Sequence, residues 1–313
     1  MDETVAAVLA DAVPDRTVTT TERVGTSWNA GTRTLAVTLD DGERVYLKIA
    51  VGGGTERVVR ERAVMAYLDA TAVVPVPPVL AAVTDEPGPY LVTASAPGEL
   101  VSERRSWPYV EPDTARRLGR ALARVHTVDR PRHGRIVGGS TDGLTVEPTA
   151  WSDQLADEIE SMRNDGGRFE HHADRAAAVL ADHRELVDDT PATLIHGDPH
   201  VSNAYVTDGE VGLFDWEAAA VADPAWELVR TATQTIEPLH HDDNGAAIDA
   251  LHTGYREIAG SLPAGFESRR PVYRAIAHLL VSQFFDLWGA DHDRADAIAE
   301  WTEAEMQRRL DAV

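Results

Sequence analysis

Residues 194–217 set the tightest limit on what this chain can fold into, because they form a short β-rich island inside a stretch that otherwise reads as helix. Leu194-Ile195 runs into a polar loop, His196-Gly197-Asp198-Pro199-His200-Val201-Ser202-Asn203. Ala204-Tyr205-Val206, the turn signal Asp208-Gly209 and Val211 to Phe214 read as a hairpin, and Asp215-Trp216-Glu217 follows it. An Asp in the loop, an Asn five residues on and a second Asp twelve residues after that Asn can converge at one end of such a hairpin. Phosphoryl transfer needs that set. One carboxylate orients a hydroxyl and accepts its proton, and an amide oxygen with another carboxylate holds Mg²⁺ against a triphosphate.

The first hundred residues read mostly as strands. Thr32 to Leu39 and Glu43 to Ala50 flank the turn Asp41-Gly42, and short strands fit Val79–Val83 and Tyr90–Thr93. One helix interrupts them, starting after Gly52-Gly53-Gly54 with Thr55 as its N-cap and ending near Leu68, before Pro75, Pro77 and Pro78. Beyond Pro97-Gly98 amphipathic helical patterns cover 112–127, 151–163, 169–187, 223–235, 244–259, 270–288 and 291–310. The expectation is an α+β protein with two lobes, divided into 1–96 and 97–313.

The charge balance narrows the partners. With 52 acidic and 29 basic residues the formal charge is -23, which opposes binding to nucleic acid or to an anionic membrane. No run of about 18 apolar residues suggests a membrane span, and the start of the sequence lacks the pattern of a signal peptide, so a cytoplasmic protein is expected. Cysteine is absent, which removes thiol catalysis and thiolate zinc sites. Self-repulsion on this scale is screened in molar salt, where the Debye length is about 3 Å, and the composition implies a halophilic, haloarchaeal source. Lys48 is the only lysine; every other basic side chain is Arg or His. Arg replaces Lys at most surface positions but not where a compact point charge must fit, so Lys48 marks a chemical requirement.

The segment His196-Gly197-Asp198 with Asn203, then Asp215-Trp216-Glu217, resembles the paired motif of the aminoglycoside phosphotransferase and related small-molecule kinase family. The resemblance extends over about residues 20–290. Asp223-Pro224-Ala225-Trp226-Glu227-Leu228 is similar to the helix start that follows in the family, Leu118 to His126 to its first C-lobe helix, Tyr90-Leu91-Val92 to Pro97-Gly98-Glu99 to its hinge, and Val74-Pro75-Val76-Pro77 to its proline signature. It implies a two-lobed protein-kinase-like fold, with an antiparallel-sheet N-lobe and a mainly helical C-lobe. It further implies ATP and Mg²⁺ as cofactors and a small hydroxyl-bearing acceptor as partner. Asp198 would be the catalytic base, with His196 holding its loop through hydrogen bonds. Asn203 and Asp215 would ligate the metal. Lys48 would bind the α- and β-phosphates, oriented by Glu61 or else by Glu56. The turn Gly25 to Gly31, with Gly25 and Ser27, would cover the phosphates, and the adenine would lie against the main chain near Ala94 and Ala96. Family acceptors include aminoglycosides, macrolides, choline, homoserine, methylthioribose and fructosamines.

Three points stay open in the sequence. Glu217 is either structural or part of the metal site, and Asp223 is a helix N-cap that can also brace the catalytic loop. The acceptor site is expected in a helical region 130–190, with Trp151, Asp153, Asp157 and Glu158 as candidates. Rival readings are a nucleotide-binding pseudokinase, which predicts loss of one of Lys48, Asp198, Asn203 or Asp215, and a metal hydrolase using His196, Asp198 and His200. A further metal candidate is His240-His241-Asp242-Asp243, which reads more simply as a solvated loop.

Overall fold

The structure, a computed structural model, describes residues 3–24, 31–84, 88–104, 110–236, 244–290 and 292–313. The expected Gly25 and Ser27 contacts and the His240–Asp243 run lie outside the described residues. The chain forms two compact units, one made of Met1–Leu100, Ile136–Val146 and Asn203–Ala219, the other of Val101–Arg135, Glu147–Ser202 and Ala220–Val313. Two segments that the sequence reading placed within 97–313 thus pack with the N-terminal part.

The first unit is built on an antiparallel sheet of β1 (Val18–Arg23), β2 (Thr32–Leu39), β3 (Arg44–Ala50), β4 (Val79–Val83) and β5 (Tyr90–Ala94), in the order β1-β2-β3-β5-β4. Alternation buries Leu35, Val37, Val45, Leu47 and Ile49 against Val5, Val8 and Leu9 of helix α1 (Glu3–Ala12), which the sequence reading did not anticipate. The register sets Lys48 between Thr34 on β2 and Leu91 on β5. Helix α2 (Thr55–Thr71) follows β3. Its N-cap is Gly54, not Thr55, and no side chain caps it. Gly54 is required for space, since a Cβ there would sit 1.6 Å from the Gly31 carbonyl oxygen. β6 (Glu99–Leu100) adds to the hairpin of the 194–217 island through Tyr205↔Leu100.

The second unit opens with a 3-10 turn at Val101–Arg104, followed by helix α3 (Pro112–Val125) and the short strand β7 (Asp129–Arg130). The region expected to be helical from 130 instead opens with strands β8 (Gly134–Ser140) and β9 (Gly143–Pro148), most of whose residues belong to the first unit. Their Gly138-Gly139 and Asp142-Gly143 steps favour a turn over a helix. Helices α4 (Trp151–Met162), α5 (Glu170–Asp182) and α6 (Arg184–Asp188) follow. The expected 169–187 helix breaks at His183, whose φ of -122° is non-helical and whose Nδ1 bonds the Val179 carbonyl at 2.8 Å. β10 (Ala192–Ile195) is fully buried and pairs with β7 and with β13 (Ala220–Ala222). Between them in sequence come β11 (Ala204–Thr207) and β12 (Glu210–Leu213), the hairpin of the first unit.

The remaining helices are α7 (Pro224–Thr231), which ends in a π-helical turn at Ala232–Ile236, then α8 (Asn244–Ala259), α9 (Phe266–Ala277), α10 (Leu279–Ser282), α11 (Phe285–Trp288) and α12 (Ala295–Leu310). The single helix expected over 270–288 is three pieces. Among the described residues no helix is long and apolar enough to cross a membrane.

His278, between α9 and α10, gives this unit an acid-labile point. It is fully buried, its Nε2 lies 2.9 Å from the Thr302 carbonyl, and Arg309, His172 and Glu305 are its titratable neighbours. Burial, helped by Arg309, pulls its pKa from 6.5 down to about 3. Between those values the unfolded chain binds the extra proton. Stability is therefore full above the unfolded pKa and lost as pH falls towards the folded one, by on the order of several kcal/mol. His278→Gln is expected to flatten the fall of Tm below about pH 6.5, read by circular dichroism; an unchanged slope would place the acid lability elsewhere.

Candidate active site

In the first unit the sole lysine is the centre of a carboxylate cluster. Lys48 is 8% exposed, and its Nζ lies 2.6 Å from Glu61 Oε2, 2.6 Å from Asp215 Oδ1 and 3.1 Å from Glu217 Oε2. Burial disfavours the ammonium, but the charges of Glu61, Asp215 and Glu217 outweigh it and raise the pKa well above the usual lysine value. The structure therefore pairs Lys48 with Glu61, one helical face away from the exposed Glu56. Glu217, left open by the sequence, accepts from Lys48, Thr32 Oγ1 (3.2 Å) and Arg57 Nη1 (3.3 Å), and its carbonyl accepts from Arg60 Nη1 (2.7 Å). Arg60 also reaches the Ile136 carbonyl, and Arg62 that of Gly139, so α2 is tied to the β8–β9 hairpin.

Hairpin register explains why Asn203 and Asp215 belong together. Ala204 pairs with Leu213, and the Phe214 N–H donates to the Asn203 carbonyl at 3.0 Å, so both residues emerge at one end of β11–β12. Asp215 has φ of 66° and ψ of 57°, a left-handed conformation that is uncommon for a residue other than glycine and is concentrated at functional sites. Two oxygen-donor side chains at a hairpin end, one of them an ionisable carboxylate, suit a hard divalent cation such as Mg²⁺. At the expected adenine positions, the Ala94 N–H donates to the Pro78 carbonyl and the Ala96 carbonyl accepts from the Gly98 N–H.

In the second unit Asp198 is held by groups that the sequence reading did not single out. Gln234 Nε2 donates to Asp198 Oδ1 at 2.7 Å, and Arg230 Nη2 lies 3.7 Å from the same oxygen. Burial alone would raise the Asp198 pKa, but the Arg230 charge and the Gln234 amide lower it below the ordinary value, so the group is a carboxylate at neutral pH. Gln234 reaches this position from the π-helical turn, a feature that often marks functional sites. Arg230 is anchored in turn by Glu158 on α4. Of the four acceptor-region candidates, Glu158 alone connects to Asp198. Trp151 is buried and donates to Tyr273, Asp153 pairs with Arg184, and Asp157 with Arg135.

The loop itself is fixed by a buried network. His196 is fully buried and its Nδ1 accepts the Asp198 N–H at 3.2 Å. Gly197 adopts φ of 83°, and its N–H donates to Glu227 Oε1 at 2.7 Å. Glu227 Oε2 lies 2.9 Å from His126 Nε2, whose Nδ1 is 3.0 Å from the Tyr255 hydroxyl. Asp223 caps α7 through the Ala225 N–H and binds Arg269 and Tyr273. The bracing role considered for Asp223 thus falls to Glu227, one turn later on the same helix. Among the described residues, His196, Asp198 and His200 do not form a converging metal-ligand group, and His200 Nδ1 is engaged with Ser202 Oγ at 2.7 Å.

The sequence pattern of the phosphotransferase enzyme family (APH) matches residues 25–261. No curated protein matches the chain in sequence. Solved structures do match in fold. A choline/ethanolamine kinase family protein from Mesorhizobium loti shares 18% identity at a TM-score of 0.60, covering 100% of this chain and 99% of its own. A thermostable mutant of aminoglycoside phosphotransferase APH(4)-Ia, solved as a ternary complex with AMP-PNP and hygromycin B, shares 16% identity at a TM-score of 0.59, covering 99% and 98%. The GDP and kanamycin complex of APH(2″)-IIia shares 14% identity at a TM-score of 0.60, covering 98% and 99%. The antiparallel-sheet unit and the mainly helical unit are those of this protein-kinase-like fold.

Proposed function

The chain belongs to the phosphotransferase enzyme family, and from that premise we propose that it transfers the γ-phosphate of ATP to a hydroxyl of a small molecule. The observation that carries this reading is the sole lysine bonded at 2.6 Å to both Glu61 and Asp215. Lys48 would place its charge on the α- and β-phosphates while Glu61 fixes its direction. Asn203 and Asp215 would hold Mg²⁺, which when bound neutralises charge on the phosphate oxygens. Asp198, kept ionised by Arg230 and Gln234, would orient the acceptor hydroxyl and take its proton. His196 acts through the loop and not on substrate, since its Nδ1 is spent on the Asp198 N–H. Adenine would bond to main-chain groups near Ala94 and Ala96.

Lys48, Asp198, Asn203 and Asp215 are all present, which favours turnover over a pseudokinase. The proteins of like fold are a choline/ethanolamine kinase family protein and aminoglycoside phosphotransferases solved with hygromycin B or kanamycin, and the acceptor here is proposed to be a hydroxyl-bearing small molecule of the same broad class. A panel of such amino alcohols, sugars and aminoglycosides, assayed in molar KCl with ATP and Mg²⁺ by ADP release, tests the proposal. Acceptor-dependent ADP formation that vanishes with EDTA is expected. Nucleotide binding with no acceptor-dependent turnover across the panel would favour the pseudokinase.

A further inference from the structure

Two helices of the second unit carry a cluster that has no part in the proposed reaction. Helix α5 carries adjacent histidines, His171 and His172, and α12 carries Glu303. Both imidazole Nε2 atoms lie 2.9 Å from the same carboxylate oxygen, Glu303 Oε2, and the three atoms fall within 4.8 Å of one another. The second carboxylate oxygen, Oε1, accepts from Arg175 Nη1 at 3.3 Å, which fixes the carboxylate's orientation, and Arg175 is itself bonded to Gln307. His172 is fully buried, stacked on Phe169 with ring centroids 5.0 Å apart. The His171 side chain is 52% exposed and that of Glu303 46%, so a cation can reach the cluster from solvent.

We propose that His171 Nε2, His172 Nε2 and Glu303 Oε2 form a binding site for a divalent transition-metal ion of the Zn²⁺ class. Two imidazoles and one carboxylate suit zinc and its neighbours in the first transition row, and not Mg²⁺ or Ca²⁺, which take oxygen. The site is therefore chemically separate from the Asn203–Asp215 pair. The size also fits. Metal–ligand distances of about 2.0–2.2 Å in a tetrahedron put neighbouring ligand atoms roughly 3.3 Å apart. The half-exposed Glu303 has to withdraw by only a few tenths of an ångström from its present 2.9 Å. Water completes the coordination. His172 Nδ1 is buried without a hydrogen-bond partner, so the outer contact that usually strengthens a histidine ligand is missing. Binding is accordingly micromolar and not nanomolar. The bound ion ties α12 to α5.

The test is a calorimetric titration of the full chain with ZnCl₂, without ATP or Mg²⁺, with Tm measured in zinc and in EDTA. One micromolar equivalent is expected, with a zinc-dependent rise in Tm that EDTA reverses. His171→Ala and Glu303→Gln change exposed side chains, and each is expected to lose that equivalent and the Tm rise while melting like wild type in EDTA. A paired His240→Ala, His241→Ala variant keeps both. ATP turnover in His171→Ala stays unchanged. Absence of the equivalent in wild type, or its retention in both His171→Ala and Glu303→Gln, overturns the site.

Discussion

Asp198→Asn is expected to lower kcat by about 10²–10⁴ while leaving nucleotide affinity within about twofold of wild type, the range that loss of a general base produces. The substitution is nearly isosteric. The introduced amide oxygen can still accept from Gln234 Nε2, Arg230 keeps its Glu158 partner, and the main-chain bonds to His196 and His200 do not involve the altered atom. What disappears is the negative charge proposed to orient the acceptor hydroxyl and receive its proton. Residual rate would come from positioning and from the charges on the phosphates. The comparison is single-turnover transfer to the identified acceptor beside ATP calorimetry. Near wild-type transfer by the amide variant would remove Asp198 as the base.

Substitution of Lys48 separates stability from catalysis. Lys48→Ala leaves Glu61, Asp215 and Glu217 without the ammonium they share. Breaking the buried Lys48–Glu61 pair costs about 3–5 kcal/mol, because an unpaired carboxylate stays inside. Turnover should fall by about 10²–10³, the usual cost of removing one transition-state donor. Lys48→Arg restores a positive charge and should recover most of the lost Tm. It should not recover activity, since the planar guanidinium is too wide for a position set by three oxygens within 3.1 Å of one nitrogen. Chemical denaturation and steady-state kinetics on both variants decide this. An arginine variant with wild-type kcat would mean that the lone lysine carries no catalytic requirement.

The sequence exposed what depends on local pattern. The hairpin at 204–213, the loop before it and the strand bearing Lys48 each follow from alternation and turn residues within a dozen positions. Helix existence was legible for the same reason, as at 244–259, whose observed end at Ala259 matches. The missed features depend on contacts distant in sequence. Gln234 meets Asp198 because of a π-helical turn, and no residue type announces that geometry. Glu217 joins Lys48 across 169 positions. Arg230 is one arginine among many in a helical pattern, and only the structure shows it buried 3.7 Å from Asp198. The strands at 134–148 leave little trace in the sequence, because glycine-rich, half-exposed segments carry little periodicity.

The single buried lysine has a practical side as well. A chain with one lysine offers amine-directed reagents one internal target, and that target is 8% exposed beneath three carboxylates. Acylation of Lys48 therefore requires the reagent to enter the place proposed for the triphosphate. Surface immobilisation through lysine, routine for other proteins, would either fail on this chain or fix it by its proposed nucleotide site. Conversely, an ATP-shaped acylating probe would yield one modified side chain, and protection of that one residue by added nucleotide would read occupancy without a purified acceptor.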